Sequence, residues 1–154
     1  MTGPAEFTYR RVHRASRELL FDCLTQPGHL TRFWGPAGTR TPIDAITVDL
    51  RPGGVFATTM VSDDDGSSYA MRAVYVEVRR PEKLAWIEPG PGGGMTTTIT
   101  LTELGEGRTE VVTRLANAAA MLASPEGRKG FLTSLDRFAA YVAALTGRPS
   151  DDRS

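Results

Sequence analysis

The strongest constraint on this chain lies near its C-terminal end. Phe131, Leu135, Phe138, Val142 and Leu145 follow one another at spacings of 4, 3, 4 and 3, with Leu132 and Ala139 widening the stripe. That is one apolar face of a long amphipathic helix, opened by Pro125, a residue suited to a first helical turn. A single helix cannot bury such a stripe by itself. What precedes it follows a period of two, so the partner must be a sheet. The economical arrangement lays the helix across the concave face of a curved antiparallel sheet. The chain is therefore expected to be α+β, with sheet and helix enclosing an interior.

The rest of the chain fits that frame. Glu6 to His13 alternates Phe7 and Tyr9 with polar neighbours and reads as a strand. Ser16 is placed to cap a helix carrying Leu19, Leu20, Cys23 and Leu24. Pro27–Gly28 interrupts it, and a second short helix, His29 to Trp34, ends at Gly35–Pro36. From residue 45 strands dominate. Ile46, Val48 and Leu50 alternate with polar residues, Phe56, Thr58 and Met60 share a face, and Asp63-Asp64-Asp65-Gly66 signals a hairpin. Strands follow at Ser68 to Arg79, Leu84 to Glu88, Thr96 to Leu104 and Thr109 to Leu115, joined by turn-like connections that imply antiparallel pairing. The expected architecture is about seven strands, two short helices after the first strand, and the long helix last. No repeat or linker divides residues 1–154, which are read as one domain, with residues 147–154 as a polar, flexible tail.

Composition removes several function classes. Eighteen Lys and Arg balance eighteen Asp and Glu, which argues against a domain built around nucleic acid. Arg10, Arg11, Arg14 and Arg17 are read as ordinary solvated surface. One cysteine, Cys23, excludes an intramolecular disulfide, and its place between Phe21 and Leu24 suits a small buried hydrophobe. Neither a signal-peptide core nor a run of ~18 apolar residues occurs, so a cytoplasmic protein without membrane insertion is expected. His13 and His29 are the only histidines and lack metal-ligand spacing, so no metal and no cofactor are expected. No Gly-x-Ser-x-Gly elbow is present. The run Pro89-Gly90-Pro91-Gly92-Gly93-Gly94 lacks the Gly-Lys-Ser/Thr ending of a phosphate loop. It is read as a mobile hairpin loop beside a cavity mouth.

Strand parity identifies the interior. Phe56, Thr58 and Met60 share one face. With Arg72 turned to water, Met71, Ala73 and Tyr75 point inward. Leu84, Trp86 and Glu88 share a face, as do Thr97, Ile99 and Leu101, and Phe131, Leu135 and Phe138 lie opposite. Aromatic and Met side chains mixed with a few polar ones suit a pocket; a filled core is the alternative. Val74 and Val76 break the polar outer face, which calls for either a bulge or a subunit contact. Glu88 has three readings: a solvated strand end, an anchor for a ligand hydroxyl, or a general acid or base.

The order of certain segments resembles a known family. They are His29-Leu30 followed by Phe33-Trp34-Gly35-Pro36; Leu50-Arg51-Pro52-Gly53-Gly54-Val55-Phe56; Asp65-Gly66; Val76-Glu77-Val78 with Pro81-Glu82-Lys83-Leu84; Thr109; and Gly130-Phe131. Across residues 7–146 the chain is similar to the SRPBCC (START-related, helix-grip) superfamily, and within it to the C-terminal domain of the activator of heat-shock-protein-90 ATPase. Phe131 stands where that family usually has Trp. The resemblance implies a helix-grip fold, an internal ligand cavity and homodimers. The resulting expectation is binding of a small, largely apolar molecule by Trp34, Phe56, Thr58, Met60, Met71, Tyr75, Trp86, Glu88, Thr97, Ile99, Phe131, Leu135 and Phe138. The alternatives are an enzyme of cyclase, dehydratase or hydrolase type using Glu88 with Tyr75 or Tyr69 in the same cavity, and a chaperone-interacting module.

Overall fold

A computed structural model describes residues 6–90, 93–118 and 124–148. Strand β1 spans Glu6–His13 and is followed by helix α1, Arg17–Thr25. Ser16 caps α1, its hydroxyl accepting from the Leu19 N–H at 3.1 Å. Helix α2 spans Pro27–Phe33. The helical region is interrupted as the sequence indicates, at Gln26, but Pro27 already starts α2, two residues before His29, because a first-turn residue needs no N–H donor.

Strands β2 (Thr39–Arg40) and β3 (Thr47–Val48) are two residues each and flank a 3-10 turn at Ile43–Ala45. The longer alternating run expected at 46–50 is cut short. Beyond Val48 the chain turns, with the Asp49 N–H donating to Val55 O at 2.8 Å. Gly54 packs so closely on the Asp49 carbonyl that a Cβ would not fit. β2 was not anticipated. The remaining strands are β4 (Val55–Ser62), β5 (Ser68–Arg79), β6 (Lys83–Glu88), β7 (Met95–Gly105) and β8 (Arg108–Ala116), and helix α3 covers Pro125–Thr146.

The sheet is antiparallel throughout, in the order β1-β8-β7-β6-β5-β4-β2, with β3 also on β4. Its register builds rows across the inner face. Tyr9 pairs with Thr113, Thr113 with Ile99, and Ile99 with Leu84. The next row runs Phe7, Leu115, Thr97, Trp86 and Tyr75. The register shifts between Tyr75 and Glu77, leaving Val76 outside the ladder and 51% exposed, while Val78 returns to the core. The bulge reverses parity for Val78; Val74 precedes it, and Val76 stays on the exposed side.

α3 is capped at both ends. The Ser124 hydroxyl accepts from the Gly127 N–H at 3.0 Å, and Gly147 closes the helix in the left-handed region at φ 70°. The helix lies over the inner face, but its stripe is not uniformly buried as expected. Phe138 and Val142 are buried, Phe131 and Leu135 are half-buried, and Leu132 and Leu145 are 38% and 46% exposed. Phe138 packs on Phe33 and His13, with ring centroids 4.9 and 5.1 Å away. Arg137 Nη1 donates to the carbonyls of Gly35 and Pro36, both at 2.9 Å. Thr133 Oγ1 accepts from the Ala37 N–H at 3.1 Å. The loop after α2 is thereby tied to α3.

Candidate functional site

A cavity of about 530 Å³ lies between the sheet and the inner face of α3, bordered along the helix from Glu126 to Phe138. That volume falls within the range of small-molecule sites. The cause is local. Gly127 and Gly130 add no side-chain volume between Glu126, Phe131, Ser134 and Leu135 on this part of the helix, and Gly35 and Pro36 add little beside Trp34. The fully buried residues Phe21, Leu20 and Leu30 from α1 and α2 fill the other part of the interior.

Ten of the thirteen residues expected at the site line the cavity: Trp34, Met60, Met71, Trp86, Glu88, Thr97, Ile99, Phe131, Leu135 and Phe138. Phe56, Thr58 and Tyr75 do not. Phe56 and Tyr75 stack on each other at 5.6 Å within the packed core, and both tryptophan rings touch Phe56, at 5.2 and 5.0 Å. Parity placed them on the correct face, but the larger tryptophans hold the lining positions. Thr58 is buried and accepts from Trp34 Nε1 at 3.2 Å, which fixes that ring's orientation.

Sequence reasoning missed one wall. Tyr9, Arg11 and His13 of β1 and Val111, Thr113 and Leu115 of β8 also line the cavity. The alternation of Phe7 and Tyr9 continues to Arg11 and His13, so the signal was present. It was masked by the neighbouring arginines, which suggested surface. Arg11 is in fact only 9% exposed, and its Nη1 donates to Asp136 Oδ1 at 3.0 Å. Tyr9 and Phe131 are in ring contact at 5.0 Å, so the helix meets this wall directly.

Glu88 ends β6 and is half-buried at the cavity wall. Burial raises its carboxyl above the ordinary value. It is therefore a strand-end residue facing the cavity. The tyrosines considered alongside it are elsewhere: Tyr75 is in the core and Tyr69 is 53% exposed. Cys23 is buried, and burial with Asp22 nearby pushes its thiol up to about 11, a weak nucleophile. Among the described residues, no group of three or more His, Cys, Asp and Glu could hold a metal. No described helix is long and apolar enough to cross a membrane. Part of the glycine-rich loop, residues 91–92, and most of the expected tail, residues 149–154, lie outside the described residues.

Known proteins share this arrangement. The chain overlays the solution structure of an AHSA1-like protein from Aeromonas hydrophila with a TM-score of 0.78 at 18% identity, covering 97% of this chain and all of that one (100%). A protein from Nitrosomonas europaea gives 0.77 at 21% identity, covering 92% and 96%. The AHSA1 protein from Silicibacter pomeroyi gives 0.75 at 20%, covering 92% and 99%. At such identities the likeness is one of fold. Comparison with curated proteins gives no significant match. A family model described as "Activator of Hsp90 ATPase homolog 1-like protein" matches residues 14–143. Since that match takes in most of the sheet and nearly all of α3, the chain belongs to the family of activator of Hsp90 ATPase homolog 1-like proteins.

Proposed function

We propose that this chain binds a small, largely apolar molecule in the cavity between α3 and the sheet. The observation that carries the reading is the wall itself. Trp34, Trp86, Met60, Met71, Ile99 and Phe131 surround about 530 Å³, with Glu88, Thr97 and Thr113 as sparse polar points. Such a lining releases water from an apolar ligand and orients it through a few polar groups. Methionines add adaptability to ligand shape. Family membership supports the same reading through the cavity that the helix-grip resemblance implies.

A catalytic reading has Glu88, but neither Tyr75 nor Tyr69, the tyrosines considered with it, lines the cavity. A chaperone-contact reading rests on the family description alone. The test is a thermal-shift screen with fatty acids, sterols and aromatic polyketides. A ligand at ~100 times its Kd adds about 2.7 kcal/mol, roughly 5–10 °C in Tm for a domain of this size. Trp34 or Trp86 emission should change on binding. If nothing raises Tm and native mass spectrometry finds no retained small molecule, the binding reading fails and the chaperone-contact reading replaces it.

A further inference from the structure

The charged groups lining the cavity are not equivalent. Arg11 already donates to Asp136 at 3.0 Å. The lining carboxylates are Glu88 and Glu126, and no described cation pairs with either. Glu126 sits in the first turn of α3, where a helix end favours a negative side chain. Glu88 has no such compensation. It ends β6, opposite Met95 at the start of β7. Arg11 is far from it: Arg11 pairs with Val111 and Val111 with Leu101, six residues along β7 from Met95. At ~3.3 Å per residue that is roughly 20 Å of strand path between the two rows. Arg11 therefore sits several rows from Glu88 and is engaged by Asp136.

The surroundings of Glu88 are aromatic and thioether. Trp86 is two residues earlier on the same face, and Trp34 lies 6.2 Å from it, centroid to centroid. Met95 packs in one cluster with Phe131 and Tyr9. A carboxylate partly withdrawn from water among π faces suits one kind of polar group best. An ammonium gains Coulomb attraction strengthened by the lowered dielectric, charge-assisted hydrogen bonds to the carboxylate and cation–π contact with tryptophan. A hydroxyl gains one hydrogen bond, and a carboxylate meets repulsion.

We propose that the cavity selects an apolar molecule carrying a protonated amine, with the ammonium against Glu88 and the apolar body among Trp86, Met60, Met71 and Ile99. This rests on the reading of the cavity as a ligand site and names its substrate class.

The test uses three probes of one shape, 4-phenylbutylamine, 4-phenylbutanol and 4-phenylbutanoate, titrated calorimetrically at neutral pH into the wild-type chain and Glu88→Gln. The amine should bind the wild type ~10-fold more tightly than the alcohol, and the acid most weakly; a factor of that size corresponds to one charge-assisted contact. Glu88→Gln keeps the shape and should abolish the amine's advantage while leaving the alcohol nearly unchanged. An alcohol that binds the wild type as tightly as the amine overturns the proposal and leaves the cavity standing as a ligand site. So does an amine preference that survives in Glu88→Gln. Should that variant not fold, the wild-type ratio of amine to alcohol still decides. If none of the three binds and the apolar screen is also blank, the ligand-site reading falls together with this one.

Discussion

In the C-terminal half of α3, Phe138 and Val142 are buried, and Phe138 meets Phe33 and His13 ring to ring. In the N-terminal half, Phe131 and Leu135 belong to the same stripe and are half-buried at a cavity wall. The residue types and spacing are equivalent; the partners differ. Phe138 also borders the cavity but is in ring contact with Phe33 of α2 and His13 of β1, whereas the N-terminal half shares its lining with Gly35, Pro36, Gly127 and Gly130. An apolar period decides which way a helix faces. Whether the space under it is filled depends on the volumes that other elements bring there.

The comparison breaks most sharply under truncation. Phe138→Ala should cost about 3–5 kcal/mol, because it removes a buried ring packed on Phe33 and His13, even though that ring also borders the cavity. Phe131→Ala should cost well under half of that, since its ring already borders open space and loses chiefly the Tyr9 contact. Urea denaturation of the two variants decides; equal losses would mean that the two halves are packed alike.

A smaller effect is expected in the filled core. The Tyr75 hydroxyl is buried without a hydrogen-bond partner among the described residues, and burial pushes its pKa above the ordinary tyrosine value. Tyr75→Phe removes a desolvated polar group and keeps the ring that stacks on Phe56. It should stabilise the fold by about 1 kcal/mol, read as a rise of roughly 2–4 °C in Tm. A fall in Tm would show that the hydroxyl makes a compensating contact.

The smallest effect sits at the cavity and depends on pH. Burial raises the folded carboxyl of Glu88 above its ordinary 4.5, so the folded state holds that proton more tightly than the unfolded state. Its favourable contribution is complete below about 4.5 and is lost as pH rises through the folded value. Glu88→Gln should therefore be more stable than wild type at pH 8 and should lose that advantage at pH 4. Urea midpoints across that range check the sign. A variant that is less stable at pH 8 would place a cation beside the carboxylate.

Much of this was legible in residue order. Ser16, Pro125 and the Phe131–Leu145 stripe announce their helices because capping and amphipathicity are local. Strand parity placed Met60, Met71, Trp86, Glu88, Thr97 and Ile99 on the inner face because alternation is a property of the strand itself. It did not separate Phe56 and Tyr75, which pack solidly, from Trp34 and Trp86, which line the void. Nor did it bring in Arg11, whose burial depends on Asp136, a residue 125 positions away.

The sequence by itself determined the helices and the long strands, their facing sides and the antiparallel hairpins, all set by neighbours within a few residues; the two-residue strands β2 and β3 were not set that way. Only the tertiary structure decided that β1 closes against β8, that α3 buries Phe138 and Val142 yet leaves a cavity beside Phe131 and Leu135, and that Glu88 borders that space. Those outcomes follow from the sum of side-chain volumes contributed by segments far apart in the chain, and no local pattern encodes such a sum.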